Sequence, residues 1–241
     1  MVQKLDVSIP IESYMSILGG TGNASYLPIK HIGKPKQGEV AFVSGAAGAT
    51  GFCAVQVLKL LGCTVIGCAS TSEKIKLLES VGVKAFNYKT EKTIDALMRL
   101  APNGVDIYFD NVGGEILESA LEVMNDFGRI IACGSISGYD QPVEKRYGVR
   151  NLFHVVGKRL TFQGYITDQL SFTNEQFMEA HQQLRAWLKT GELKDHFTVV
   201  EGFDQIPNAL YGLFRSKNTG KMMVRCKLPT EVTAYPISSN L

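Results

Sequence analysis

The chain has 241 residues, of which 45% are hydrophobic and 20% are charged, and its formal net charge is +2. These values are typical of a soluble globular protein and give no reason to expect nucleic acid or an anionic membrane as a partner. No apolar stretch is long enough to span a bilayer, and the N-terminus has no signal-peptide hydrophobic core.

The cysteines and histidines predict neither disulfides nor a metal site. The five cysteines are Cys53, Cys63, Cys68, Cys133 and Cys226. They form no CxxC pair and lie in apolar contexts, so we expect buried free thiols in a reducing compartment such as the cytoplasm. The four histidines lie far from them in sequence, whereas a zinc site needs clustered ligands.

Short apolar runs alternate with helical patterns along most of the chain. A short helix is predicted at Ser13–Leu18, before the first strand. The predicted strands are Val40–Ser44, Thr64–Cys68, Val83–Asn87, Val105–Asp110, Gly128–Cys133 and Leu160–Ile166. The predicted helices are Thr50–Leu61, Ser72–Val81 with Ser72 as its cap, Thr90–Leu100, Gly114–Met124, Tyr147–Val156 and Asn174–Lys189. This alternation predicts an α/β fold, a doubly wound parallel sheet of the Rossmann type.

The pattern changes at both ends of this region. Residues 1–37 are irregular and are predicted to be a linking segment, followed by a dinucleotide-binding domain at residues 38–195. In residues 196–227, two return strands, His196–Glu201 and Lys221–Lys227, flank a helix at Gln205–Arg215. Residues 228–241 are polar and are predicted to be a loose tail.

The most informative motif runs from Ser44 to Gly51, where a strand turns into a helix. Its glycines at 45, 48 and 51 let the backbone approach a ligand closely, because they lack a Cβ. The unpaired N–H groups of the following helix suit a pyrophosphate. We interpret the motif as a dinucleotide site that includes Gly48 and Gly51; a glycine-rich turn without a ligand is the alternative.

The end of the second strand favours NADP over NAD. An NAD site usually carries Asp or Glu there, to bind the ribose hydroxyls. Here the first acid after the strand is Glu73, whereas Ser70 and Lys74 suit a 2′-phosphate. Tyr88, after the third strand, would add a phenolic donor. The alternative is that the hydroxyls from Ser70 to Ser72 only cap the helix and that Lys74 is solvated.

Several short runs together resemble a known family. They are Ser44–Gly51, Phe86–Lys89, Tyr108–Gly114, Cys133–Tyr139 and Asn218–Lys221. In this order, over roughly residues 10–227, they look like the zinc-independent medium-chain reductases of the prostaglandin reductase and alkenal reductase type. The resemblance implies NADPH-dependent reduction of the carbon–carbon double bond of α,β-unsaturated aldehydes and ketones.

The resemblance also implies roles for particular residues. Lys74 and Tyr88 would hold the 2′-phosphate, and Ala47, Gly48 and Ala49 would lie by the pyrophosphate. The residues expected to line the cofactor toward and around the nicotinamide are Asn111, Cys133, Ser135, Tyr139, Tyr165, Ile166 and Asn218.

Two of these residues have a competing interpretation. Tyr139 is the candidate catalytic residue, since a hydroxyl stabilises an enolate or relays a proton. It would otherwise be an aromatic lid on the ribose. Cys133 ends an apolar strand, so its backbone rather than its thiol is expected near the cofactor.

The sequence also departs from the family pattern. The family places a GroES-like β domain before the dinucleotide fold, and only a remnant of that catalytic domain is expected in residues 1–37. Pro28 falls inside a family helix and is expected to shorten or kink it. Exposed edges of the return strands predict a homodimer or a partner chain, and the resemblance implies the same, since the sixth strand is the family's usual dimer edge. The alternative function is a cofactor-binding protein that has lost hydride transfer, or a pocket re-used for isomerisation or cyclisation.

Overall fold

A computed structural model describes residues 5–226, so the predicted tail at residues 228–241 lies outside the described part. Six parallel strands form one sheet in the order β3-β2-β1-β4-β5-β6, which is the doubly wound order that the sequence predicts. The strands are β1 (Val40–Val43), β2 (Thr64–Ala69), β3 (Lys84–Asn87), β4 (Val105–Asp110), β5 (Met124–Ala132) and β6 (Thr161–Gly164).

Nine α-helices are present within residues 5–226. They are α1 (Ile11–Met15), α2 (Gly20–Pro28), α3 (Ala49–Leu60), α4 (Ser72–Ser80), α5 (Thr93–Leu100), α6 (Gly114–Val123), α7 (Phe153–Gly157), α8 (Asn174–Thr190) and α9 (Ile206–Phe214). The helix expected to be affected by Pro28 ends at that residue and continues as one π-helical turn, Ile29–Gly33.

The sheet is apolar on both faces, because its central strands send alternate side chains to opposite sides. Val43 and Phe109 join the cluster that packs against α2, α3 and α8. Phe42 and Tyr108 join the cluster that includes residues of α5 and α6. All four side chains are fully buried, so the sheet gives a rigid base to the loops at its carboxyl edge.

The return segment forms a small sheet of its own. β7 (Phe197–Glu201) pairs in parallel with β8 (Lys221–Arg225), and α9 lies between them in the chain. The backbone N–H of Gly220 donates to the carbonyl of Ala47 at 2.8 Å. This contact ties the return segment to the turn after β1. The predicted domain bounds themselves stay a prediction.

Three local predictions are wrong, and the first is the helix predicted at Ser13–Leu18, since α1 spans Ile11–Met15. The helix predicted at Tyr147–Val156 is reduced to α7, because the residues before it are bound to α6. The N–H of Arg150 donates to Glu118 Oε2 at 2.8 Å, and Asn151 Nδ2 donates to the Glu118 carbonyl at 2.9 Å. The cap of α4 is Thr71 rather than Ser72: Thr71 is extended, and its hydroxyl accepts the Lys74 N–H at 3.3 Å.

Strand β5 begins earlier than the apolar pattern indicates. It was expected from Gly128, but Met124 already pairs with Val105 and the register then shifts. Asn125 interrupts the apolar run, and its Nδ2 donates to Asp106 Oδ1 at 2.8 Å. Because this polar side chain interrupts the apolar pattern, the pattern alone does not indicate that β5 begins at Met124.

The described helices include none with the length and hydrophobicity that crossing a membrane requires.

Candidate functional site

A cleft of about 860 Å³ opens at the carboxyl edge of the six-stranded sheet. It lies above the ends of β1, β2 and β4, where ligands bind in doubly wound sheets. The residues predicted from sequence that line it are Ala47, Gly48, Ala49, Gly51, Ser70, Lys74, Tyr88, Asn111, Cys133, Tyr139 and Asn218.

The turn between β1 and α3 forms one wall of the cleft and requires glycine. Gly45 has a φ of 58°, a left-handed conformation that suits a residue without a Cβ. A Cβ on Gly51 would lie 2.3 Å from the Gly45 carbonyl oxygen. Helix α3 begins at Ala49, and within residues 5–226 no side chain caps its first turn. Its free N–H groups therefore face the cleft and favour an anion.

The loop after β4 is held rigidly beside this turn. Asp110 is buried, and its Oδ1 accepts the Tyr108 hydroxyl at 2.7 Å and the N–H groups of Val112 and Gly113 at 2.9 and 2.8 Å. Asn111 Nδ2 donates to the Ser44 carbonyl at 2.7 Å. Asn111 is thereby fixed between the first and fourth strands.

Lys74 brings a positive charge into the cleft at the end of β2. The residue is only 8% exposed, and its Nζ donates to the carbonyl of Ser216 at 2.6 Å. Burial lowers its pKa, and the neighbouring Lys89 lowers it further. Lys74 takes part in none of the ion pairs found within residues 5–226. The Glu73 carboxylate opposes the lowering of this pKa through its charge but forms no ion pair with Lys74, so the buried cation is poorly compensated, which favours an incoming anion.

Polar side chains surround this lysine. Tyr88 is partly exposed and lines the same part of the cleft as Ser70. Burial and the Cys68 thiol raise the pKa of Tyr88, while the hydroxyls of Ser70 and Ser216 oppose the rise. The phenol is therefore a neutral donor near neutral pH.

Tyr139 lies at the other end of the cleft and is 60% exposed. Its phenolic oxygen accepts the backbone N–H of Ser135 at 3.1 Å. A phenolic oxygen that accepts one hydrogen bond keeps its own proton free to donate. Burial raises the pKa of the neighbouring Cys133 thiol, and that residue's N–H donates to the Asp110 carbonyl at 2.9 Å.

Three predicted residues do not line the cleft. Ser135 is exposed and contributes its backbone N–H to Tyr139. The Tyr165 hydroxyl donates to the Ala24 carbonyl, and burial raises its pKa. Ile166 is 70% exposed, beyond the end of β6. Their cofactor contacts stay predictions.

Sequence reasoning missed most of the loop that closes the cleft. We call residues 215–220 the return loop; it connects α9 to β8. Ser216 and Gly220 line the cleft beside Asn218, whose Nδ2 donates to the Gly220 carbonyl at 2.7 Å. Only Asn218 was predicted, because the Ser216 contact with Lys74 uses a main-chain carbonyl and leaves no signal in the sequence.

The cysteines are free, as expected, but not all are buried. Cys53, Cys63 and Cys68 are buried and Cys133 is partly buried, whereas Cys226 is exposed just after β8 ends. Within residues 5–226 there is no group of three or more His, Cys, Asp or Glu residues that could hold a metal ion.

Comparison with known proteins matches the chain to a dehydrogenase family and to proteins named as oxidoreductases or reductases. Residues 49–185 match the zinc-binding dehydrogenase family. The chain is 41% identical over 234 residues to YfmJ of Bacillus subtilis and 39% identical over 222 residues to a 2-alkenal reductase (NADP(+)-dependent) of Nicotiana tabacum. These alignments cover 95% and 91% of this chain but 68% and 63% of the relatives. The chain therefore spans about two thirds of the length of these curated relatives.

A solved structure shares the fold. CurA from Vibrio vulnificus, in complex with NADPH, superposes with a TM-score of 0.84 at 30% identity. The match covers 90% of this chain and 66% of that chain.

Proposed function

The chain belongs to the zinc-binding dehydrogenase family, and from this premise we propose that it binds NADPH in the cleft and reduces the carbon–carbon double bond of α,β-unsaturated aldehydes and ketones. The observation that carries the proposal is the buried ammonium of Lys74, which has no carboxylate partner within residues 5–226. The name of the tobacco relative, 2-alkenal reductase (NADP(+)-dependent), supports the same substrate class.

The residues of the cleft fit this cofactor. Lys74, Ser70 and Tyr88 would hold the 2′-phosphate, since together they offer a cation and hydroxyl donors. The turn at Gly48 and the first turn of α3 would hold the pyrophosphate. Where Asp or Glu would follow β2 in an NAD site, the chain has Ser70 and Thr71, so no carboxylate stands at that position to repel a 2′-phosphate.

The chemistry assigned to the other end of the cleft uses Tyr139. When bound, NADPH supplies the hydride that is added to the β-carbon of the substrate. That addition would leave negative charge on the substrate's carbonyl oxygen, and the Tyr139 hydroxyl would stabilise this enolate by a hydrogen bond. A proton taken from solvent at the α-carbon would complete the reduction. The Ser135 N–H holds the phenolic oxygen in place for this role.

We propose that this reaction is independent of zinc. Although the family description names zinc, the described residues contain no cluster of metal-binding side chains. The proposed groups at the reacting end are a phenol, an amide and backbone N–H groups.

The test is a fluorescence titration of the purified chain with NADPH and, separately, with NADH. We expect NADPH to bind at least about tenfold more tightly, because one charge-assisted contact to the 2′-phosphate is worth about 1.4 kcal/mol or more. An enone panel then follows: turnover supports the reductase, whereas tight NADPH binding without turnover supports a cofactor-binding protein that has lost hydride transfer. Equal affinity for the two dinucleotides would contradict the assignment of Lys74.

A further inference from the structure

The return loop meets Lys74 through an unusual backbone conformation at Ser216. Ser216 has a φ of 53°, a left-handed conformation that residues with a Cβ rarely adopt. It follows the last turn of α9: its N–H donates to the Leu213 carbonyl at 3.0 Å, and the Lys217 N–H donates to the Gly212 carbonyl at 3.0 Å. This is a Schellman cap, in which the left-handed position is usually glycine.

The left-handed turn has a consequence for the cleft. It directs the Ser216 carbonyl to the Lys74 ammonium, 2.6 Å away. The contact is therefore made by the main chain of the return loop and not by a side chain. An ammonium has three donors, so two remain for an anion in the cleft. The other end of the loop is fixed by the bond from the Gly220 N–H to the Ala47 carbonyl. The loop therefore spans the cleft from the lysine to the glycine turn.

We propose that Ser216 is a positioning residue for cofactor selection: its left-handed backbone holds Lys74 where it meets a 2′-phosphate. Discrimination between NADPH and NADH then depends on the cap of α9 as well as on the lysine. This inference rests on the proposed function, since it concerns the same cleft.

The geometry predicts opposite effects for two substitutions at this position. Ser216→Gly keeps the left-handed backbone and the carbonyl contact but removes the hydroxyl that bonds Tyr88, so it should weaken NADPH binding by only about two- to threefold and leave NADH binding within about twofold. Ser216→Val places a β-branched residue where φ must be positive, so the turn shifts and the carbonyl leaves Lys74. We expect Ser216→Val to weaken NADPH binding about tenfold and NADH binding by less than about twofold.

The control is a comparable substitution at another left-handed residue. Arg159 has a φ of 52° and lies just before β6, at the opposite edge of the sheet from the cleft. Arg159→Val should strain the backbone in the same way and leave the ratio of the two affinities unchanged. Circular dichroism of each variant checks that the fold is retained before its affinities are compared.

The dissociation constants of NADPH and NADH are measured by fluorescence for the unmodified chain and the three variants. An equal loss for both dinucleotides in Ser216→Val, or no loss, would overturn the positioning role and leave the proposed function standing. A tenfold loss in Ser216→Gly would also overturn it, because the side chain would then be the cause. Failure of the unmodified chain to bind either dinucleotide would overturn the proposed function and this inference together.

Discussion

At the scale of single residues, the cleft combines side chains that sequence reasoning finds with main-chain groups that it does not. Lys74 was predicted from the missing acid after β2, because the charge of the side chains at this position indicates whether a ribose hydroxyl or a 2′-phosphate is bound. Ser216 was not predicted, because its contribution is a carbonyl oxygen whose direction depends on a left-handed turn 142 residues further along the chain.

The residue-scale prediction concerns Tyr139. Tyr139→Phe removes the proton that would stabilise the developing negative charge, and should slow enone reduction about 100-fold, in the range expected for general acid catalysis. The Kd of NADPH should change by less than about twofold, since Tyr139 follows β5, three strands across the sheet from β2, which Lys74 follows.

Steady-state kinetics with a fixed enone, together with the fluorescence titration, separate the two effects. Tyr147→Phe is the matched control, because its hydroxyl bonds Glu118 on α6 and does not face the cleft. A loss of NADPH affinity equal to the loss of rate in Tyr139→Phe would indicate a binding lid rather than a catalytic group.

At the scale of elements, the central strands were predicted well, whereas the start of β5 and the irregular connections were not. Strands β1, β2 and β4 are buried on both faces, so they appear in the sequence as short apolar runs. The helix predicted before α7 is absent, because the conformation of this segment depends on hydrogen bonds to Glu118, which is distant in sequence. The start of helix α8 was predicted correctly because its sequence signal is local: Thr173 and Gln176 form a capping box.

The element-scale prediction concerns this cap. The Thr173 hydroxyl accepts the Gln176 N–H at 3.3 Å, and Gln176 Oε1 accepts the Thr173 N–H at 2.9 Å. Thr173→Ala should lower the free energy of unfolding by about 1 kcal/mol, because one N–H of the first turn loses its partner.

Urea denaturation followed by circular dichroism measures this change as a lower midpoint at an unchanged slope. Ser119→Ala removes an exposed hydroxyl that bonds only a carbonyl within α6, and should change the stability by less than about 0.5 kcal/mol. Equal effects of the two substitutions would show that the capping box adds nothing to stability.

At the scale of the whole molecule, the six-stranded sheet ends in an exposed edge. The residues of β6 are exposed, including Phe162 at 42%. Unpaired N–H and C=O groups at such an edge are a template for pairing with another chain. The homodimer or partner chain stays a prediction. A substitution on the exposed edge of β6 tests it.

We expect the purified chain to sediment as a dimer at micromolar concentration. Phe162→Lys should shift it toward the monomer, because lysine on an edge strand blocks pairing between sheets. Met98→Lys, at a residue of α5 that is 58% exposed, is the control for adding a charge elsewhere on the surface. A monomer in analytical ultracentrifugation for the unmodified chain would contradict the prediction.

The contact between Lys74 and Ser216 also has a consequence for how the protein is made. Loops that join residues far apart in the chain close late in folding, because closing them costs conformational entropy before any contact compensates for it. During synthesis the glycine turn and β2 leave the ribosome long before the return loop does. A nascent chain therefore gains no stability from a dinucleotide held by the complete cleft until residue 216 has emerged, and its first strands are held by their own pairing and by hydrophobic burial.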